Sequence, residues 1–406
     1  MPKTPVKASK PAAKSKVAAP AAEPAKAKFV KVAKEPEHPI LAIGLTEPIP
    51  PETSCFSFEG VTPSVDGGLF PVKRETGDLL EVAADIWLFG HEKFTTWWEF
   101  RKEGGAWQRY ALESLGNDRW AGSLKLTEVG LFEFRFGGTA EKTGLESVSH
   151  IYDLIVDPVI ARFGAWYEMW PRSQGINPDG PASWDDCIKR LPEIAAMGFQ
   201  VLYVPPIHPI GKTNRKGKNN SVRAQPGEPG CPYAIGNEAG GHDAVDPELG
   251  SMVDFERFIA ACEEHGMQVA LDVALNASPD HPYAKTHPEW FYREPDGTIK
   301  YAENPPKKYE DIYAFHYYGS DAEGMWREFL RIHLFWVSKG IRIFREDNPH
   351  TKPFGFWQWL MREVKKRCPD AVFLSESFTR PKPMKMLAKM GFQQSYTYFV
   401  WRESAK

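Results

Sequence analysis

Ile341-Arg342-Ile343-Phe344-Arg345-Glu346-Asp347 and Ala371-Val372-Phe373-Leu374-Ser375-Glu376 are two short apolar runs, and each ends in charge. Runs of this length, set apart by an amphipathic stretch, read as buried parallel strands. Four more runs repeat the pattern, at Arg162–Tyr167, Val201–Pro205, Gln268–Leu275 and Ser395–Phe399. Helix candidates lie between them at 183–197, 251–265, 323–339, 355–367 and 381–390. A β–α alternation of this kind predicts the α/β class and a (β/α)8 TIM barrel. About six of the eight strands fall in residues 161–406, with long insertions after the second and third.

In such barrels the reactive groups sit at the C-terminal ends of strands. Asp347 and Glu376 occupy that position on neighbouring runs. Parallel strands lie ~4.8 Å apart, so the two carboxyls can stand ~5–5.5 Å apart, the separation of a retaining glycosidase pair. One would attack an anomeric carbon; the other, its pKa raised, would protonate the leaving group. Arg345 shares the strand face of Asp347 and would keep it ionised. An ordinary salt bridge at a barrel mouth accounts for the same spacing equally well.

Upstream, strands read at Leu79–Phe89, Phe94–Glu103, Ala106–Leu112 and Leu131–Phe136. Turn signals separate them, such as Gly104-Gly105 and Gly116-Asn117-Asp118. The spacing predicts an immunoglobulin-like β-sandwich over 38–160. Residues 1–37 hold nine lysines and three acids among Ala and Pro, the composition of a disordered basic tail.

A net charge of −3 gives no polyanion-binding signature, so no nucleic-acid partner is expected. The 14 Trp, 14 Tyr and 25 Phe suit stacking on sugar faces, although any one ring is more often core. Five cysteines, Cys55, Cys187, Cys231, Cys262 and Cys368, form no CxxC pair. That argues against a disulfide framework and against a metal site, and for a reducing cytoplasm. No run reaches membrane-spanning length and no secretory leader is legible, so no membrane association is expected.

The segment Phe344-Arg345-Glu346-Asp347-Asn348-Pro349-His350-Thr351-Lys352-Pro353 resembles the nucleophile segment of the maltosyltransferases of the α-amylase superfamily. Those enzymes extend glycogen, an α-1,4-glucan, from α-maltose 1-phosphate. Phe373-Leu374-Ser375-Glu376-Ser377-Phe378-Thr379-Arg380-Pro381 is similar to their acid/base segment. Ala161–Ser173, Tyr301–Tyr309 and Gln394–Phe399 add three further matches in the same order, and the resemblance spans about residues 50–406. It implies that Asp347 is the nucleophile, Glu376 the acid/base and Arg345 their partner. It implies that Asn304, Lys307, Tyr309 and Asn348 lie near the donor phosphate, and that Lys216, Asn276 and Asp311 contact the donor. Asp272 matches the superfamily's acid beside the catalytic arginine. No cofactor is implied, because carboxylates and a phosphorylated donor suffice. A homodimer is the family's habit.

The sequence departs from the family's pattern in four places. Glu346 stands where a small apolar residue is usual; alternation points it away from Asp347, so a packing cost is expected. Asn276 stands in place of Gln and shortens one donor contact. The helical insertion tied to dimerisation is not evident between Phe136 and Phe163. The third superfamily acid, on a seventh strand, is not among these residues, so the 406-residue chain alone is expected to be inactive or unstable. Two other readings stay open: an α-glucan hydrolase or another transglycosylase of the superfamily, and an inactive glucan-binding remnant.

Overall fold

A computed structural model describes residues 55–176, 182–304 and 306–401. The tail read at 1–37 lies outside them. Six strands form one parallel sheet in strict chain order: β1 (Trp166–Glu168), β2 (Val201–Val204), β3 (Gln268–Val273), β4 (Ile343–Glu346), β5 (Val372–Ser375) and β6 (Gln394–Ser395). Helices α1 (Trp184–Ala196), α2 (Met252–Glu264), α3 (Ala322–Ser338), α4 (Phe354–Lys365) and α5 (Pro381–Met390) alternate with these strands. The fold is α/β with a curled, half-barrel sheet.

Both faces of the sheet are covered, which is why its strands are apolar almost throughout. Leu202, Val204, Val269, Leu271, Phe344 and Phe373 pack in the large core that also holds the helices' apolar faces. Their alternate neighbours Val201, Tyr203, Ala270, Ile343 and Val372 form a separate cluster with Ala161 on the concave side. Helices α1 and α2 start at Ser183 and Ser251, whose side chains bond Asp186 and Asp254 reciprocally in capping boxes. On β6, Gln394 Nε2 donates to the carbonyls of Ile160 (2.9 Å) and Ala161 (3.1 Å), just ahead of β1. The two ends of the sheet are thereby drawn towards each other.

The N-terminal part is a pair of sheets. One contains Phe56–Thr62, Leu79–Leu88, Arg119–Lys125 and Glu113–Gly116. The other runs Val72–Glu75, Tyr152–Asp157, Gly130–Ala140, Phe94–Lys102, Gln108–Ala111, with Glu146–Val148 beside Gly130–Ala140. Leu80, Val82, Ala84 and Ile86 of the first meet Trp98, Phe100, Phe132, Phe134 and Phe136 of the second in one core. On the other face Trp97 lies flat across Gly137, where a Cβ would sit 2.1 Å from the ring. The Arg109 guanidinium covers the Trp97 ring at 3.5 Å. The pair of sheets is bolted to the α/β part by a buried ion pair, Lys365 Nζ to Asp157 Oδ1 at 2.7 Å. Lys365 also donates to the carbonyl of Ala371 at 2.7 Å.

Several strand limits move. The first begins at Trp166, not Arg162, because Val159–Ala161 is a turn of 3-10 helix and Arg162 pairs outward with Glu75 and Asp78. The last is only Gln394–Ser395; Tyr398 turns away and bonds the Phe378 carbonyl at 2.8 Å. A hairpin of Tyr301–Asn304 with Lys307–Ala314, joined by Asn276–Ala277, was not foreseen. Its polar residues carry no period-two signal, since the hairpin is held by pairing across the insertion instead of by an apolar face.

Two buried polar groups hold sheet, helix and loops in register. Glu346, fully buried, points from β4 onto α3, where its Oε1 lies 3.0 Å from His333 Nε2. His333 Nδ1 lies 2.7 Å from the Phe329 carbonyl and must donate there. Glu346 and His333 thus form one buried pair between β4 and α3. The second group is an imidazole chain. The Tyr283 amide donates to His281 Nδ1 (3.0 Å), so His281 Nε2 donates to His242 Nδ1 (3.0 Å), and His242 Nε2 donates to the Ala274 carbonyl (2.9 Å). The chain joins the loop after β2 to the loop after β3. Gly236 presses against it at φ +103, and a Cβ there would come within 2.3 Å of the His281 ring.

Breaking one half of the Glu346–His333 pair strands the other half. His333→Leu is expected to cost about 3–5 kcal/mol, and adding Glu346→Ala to recover most of it. Urea unfolding of the single and double variants checks this; additive losses would refute the coupling of the pair. The histidines predict acid sensitivity. Burial lowers His208 to about 4 and His281 to about 3. Their neutral forms are favoured in the fold, so stability is complete above the ordinary histidine value of about 6.5. It falls as pH drops from there towards 4 and 3, by about 1.4 kcal/mol per pH unit for each group. Melting curves at about pH 7.5 and about pH 5.5 should show the drop, and His281→Gln should lessen it.

Candidate active site

Period-two alternation sends Ile343, Arg345 and Asp347 to the concave face of the sheet, and does the same for Val372, Leu374 and Glu376 on β5. Register then sets their heights: Asp272 lies beside Arg345, and Arg345 beside Leu374. Asp347 and Glu376 come one step past the strand ends. Their amides continue the ladder, to the Val273 carbonyl at 3.0 Å and the Glu346 carbonyl at 3.1 Å.

Arg345, nearly buried, reaches all three acids. Nη1 contacts Asp272 at 3.0 Å and Asp347 Oδ1 at 2.9 Å, and Nη2 contacts Glu376 Oε1 at 3.0 Å. Asp272 is fully buried and also accepts from the phenols of Tyr203 (2.6 Å) and Tyr233 (3.0 Å). Burial pushes its carboxyl up to about 7, while Arg345 and the phenols pull the other way.

Asp347 and Glu376 are driven apart. Burial opposes the charge of Asp347, but Arg345 and then Lys352 overcome it and hold the carboxyl below its ordinary range. Burial raises Glu376 to about 7; Arg345 opposes this and the charge of Asp347 adds to it. One carboxylate is thus kept ionised while its neighbour titrates near neutrality, the division of labour that acid–base chemistry requires.

The turn after β4 steadies both acids. Asn348 is left-handed (φ 45, ψ 51), a conformation that Asn tolerates better than most side chains. Its amide donates to Glu376 Oε2 at 3.1 Å and its Nδ2 to Asp347 Oδ2 at 3.2 Å. Lys352, buried below, donates from Nζ to the Asp347 carbonyl at 2.9 Å and the Asn348 carbonyl at 3.3 Å.

Asp347, Asn348 and Glu376 border a cavity of 1070 Å³ together with Lys216, Asn276, Tyr309 and Asp311. Lys216 is paired with Glu310 at 2.5 Å, and burial raises Asp311. Lys307 starts the second hairpin strand and does not border the cavity. Asn304 ends the first hairpin strand. Glu346 faces α3, as alternation requires. Tyr203, Tyr233, Lys352 and the cavity-lining Tyr292, Tyr317 and Tyr318 went unread in the sequence. Tyr203 was legible in principle, since it shares the concave face with Ala270 and precedes a proline-rich loop; the others depend on contacts between distant loops.

Residues 56–143 match the family model described as α-1,4-glucan:maltose-1-phosphate maltosyltransferase, domain N/S. Curated relatives carry the same enzyme name. The chain is 40% identical to one from Cereibacter sphaeroides, over 86% of this chain and 72% of that protein. It is 41% identical to one from Pseudomonas aeruginosa, over 85% of this chain and 64% of that protein. It is 55% identical to one from Mycolicibacterium smegmatis, over 62% of this chain and 37% of that protein. The chain thus spans a little under two thirds of the Pseudomonas protein's length. The identity to the Cereibacter protein, sustained across the β-sheet pair and the α/β part, shows that this chain belongs to the α-1,4-glucan:maltose-1-phosphate maltosyltransferase family.

Proposed function

We propose that the chain carries the nucleophile and acid/base of a retaining maltosyl transfer from α-maltose 1-phosphate to the non-reducing end of an α-1,4-glucan. The observation that carries this reading is Arg345, one guanidinium in contact with both Asp347 and Glu376. Their protonation behaviours are driven in opposite directions. Asp347 Oδ attacks the anomeric carbon and forms a maltosyl ester as the bond to the phosphate oxygen breaks. Glu376 gives its proton to that oxygen. In the second half, Glu376 takes the proton of a glucan 4-hydroxyl, whose oxygen displaces Asp347. A carboxyl near 7 serves both as acid and as base at neutral pH.

Asn304, Lys307, Tyr309 and Asn348 are assigned to the donor phosphate, and Lys216, Asn276 and Asp311 to other contacts with the donor. The wider reading places these groups in a partial (β/α)8 barrel at 161–406, with about six of the eight strands in these residues. An immunoglobulin-like sandwich over 38–160 precedes it. It takes the enzyme to be cytoplasmic.

Glu376→Gln is expected to lower phosphate release from α-maltose 1-phosphate in the presence of maltohexaose by about 10²–10⁴-fold. Glu376→Ala incubated with donor alone should gain one maltosyl unit on Asp347, read by intact-mass spectrometry. Unmodified protein, or equal consumption of plain maltooligosaccharide without a phosphate requirement, would sink the donor assignment.

A further inference from the structure

The 1070 Å³ cavity lies at the top of the ~300–1,000 Å³ range of sites that enclose a drug-sized ligand. A volume of this size has room for more than one small sugar unit. One of its walls carries none of the residues assigned to the donor. That wall is the connection from the hairpin to α3, and it presents tyrosine.

Tyr318 is 73% exposed and borders the cavity. Among the described residues its ring makes no hydrogen bond, ion pair or ring stack. Its backbone is nevertheless well held. Tyr317, one residue earlier, is buried and packs edge-on against Phe356 at 5.1 Å. On the other side, the Gly319 amide donates to the His316 carbonyl at 3.0 Å. The His316 ring lies 4.2 Å from Tyr292, which also borders the cavity and is 41% exposed. Two phenol rings on a supported backbone therefore face into the cavity, and one of them is bare. A lone exposed ring elsewhere on the surface would mean little; a bare ring at the mouth of a reactive cavity offers a platform.

We propose that Tyr318, flanked by Tyr292, forms a subsite for the acceptor, an α-1,4-glucan chain. A glucosyl unit has a flat C–H face that suits a ring and edge hydroxyls that suit a phenol oxygen. Tyr318 takes that face, and the chain end runs on towards Glu376. The assignment of the glucan as acceptor rests on the transfer reading above; the binding itself does not.

Calorimetric titration of the full chain with maltohexaose, and separately with α-maltose 1-phosphate, tests the subsite. Tyr318→Ala is expected to weaken maltohexaose roughly 3- to 10-fold and to leave the phosphate donor's affinity unchanged, and Tyr318→Trp to retain glucan binding. An unaltered unfolding midpoint will show that the exposed position tolerates the change. Unchanged maltohexaose binding in Tyr318→Ala, an equal loss for both ligands, or no maltohexaose binding by the unaltered chain would each overturn the subsite. Tyr318-dependent maltohexaose binding without any donor binding would uphold the subsite and remove the maltosyl phosphate reading.

Discussion

A single buried cation organises this part of the molecule. Arg345 is withdrawn from water among Asp272, Asp347 and Glu376, and contacts all three. Isolated buried charges are costly, and only dense pairing with hydrogen bonds offsets that cost. The phenols of Tyr203 and Tyr233 complete the shell of Asp272, so the cluster draws on β2, β3, β4, β5 and the loop after β2. The sheet must therefore curl in order to bring these groups together, and the concave side below them is filled by small and branched residues, Val201, Ala270, Ile343 and Val372, that allow the strands to close in.

The same economy explains why the rest of the architecture is stiff around the site. Polar groups that have no part in the chemistry are tied off in pairs and chains: Glu346 with His333, Lys365 with Asp157, His281 with His242. Each joins elements that are distant in sequence and adjacent in space. The histidine chain couples the loops that present Lys216 and Tyr233 to the loop that presents Asn276. The Lys365 bolt sets the pair of N-terminal sheets against α4, whose first residue follows the turn that steadies Asp347 and Glu376.

Much of this was legible in the chain. The β–α rhythm, the five helices and the strand-end positions of Asp347 and Glu376 follow from apolar periodicity, because two-sided burial leaves a plain signature. The outward direction of Glu346 followed from alternation alone. The hairpin around Tyr309 did not, since a polar hairpin in an insertion is stabilised by pairing with residues far away. The exposed Tyr318 also gave no signal, as a tyrosine at the end of the aromatic run from Phe315 reads as core.

What the sequence by itself determined is the class of fold, the order of its elements, the pair of carboxylates and the arginine between them. Those depend on local periodicity and on the strict two-residue repeat of a strand, both of which are written along the chain. Only the tertiary structure decided how burial and neighbouring charges act on each acid, what Glu346 meets in the interior, and which faces of the cavity are occupied or bare. Those properties are set by burial and by charges contributed from several strands and loops at once, and no stretch of sequence contains its own dielectric surroundings.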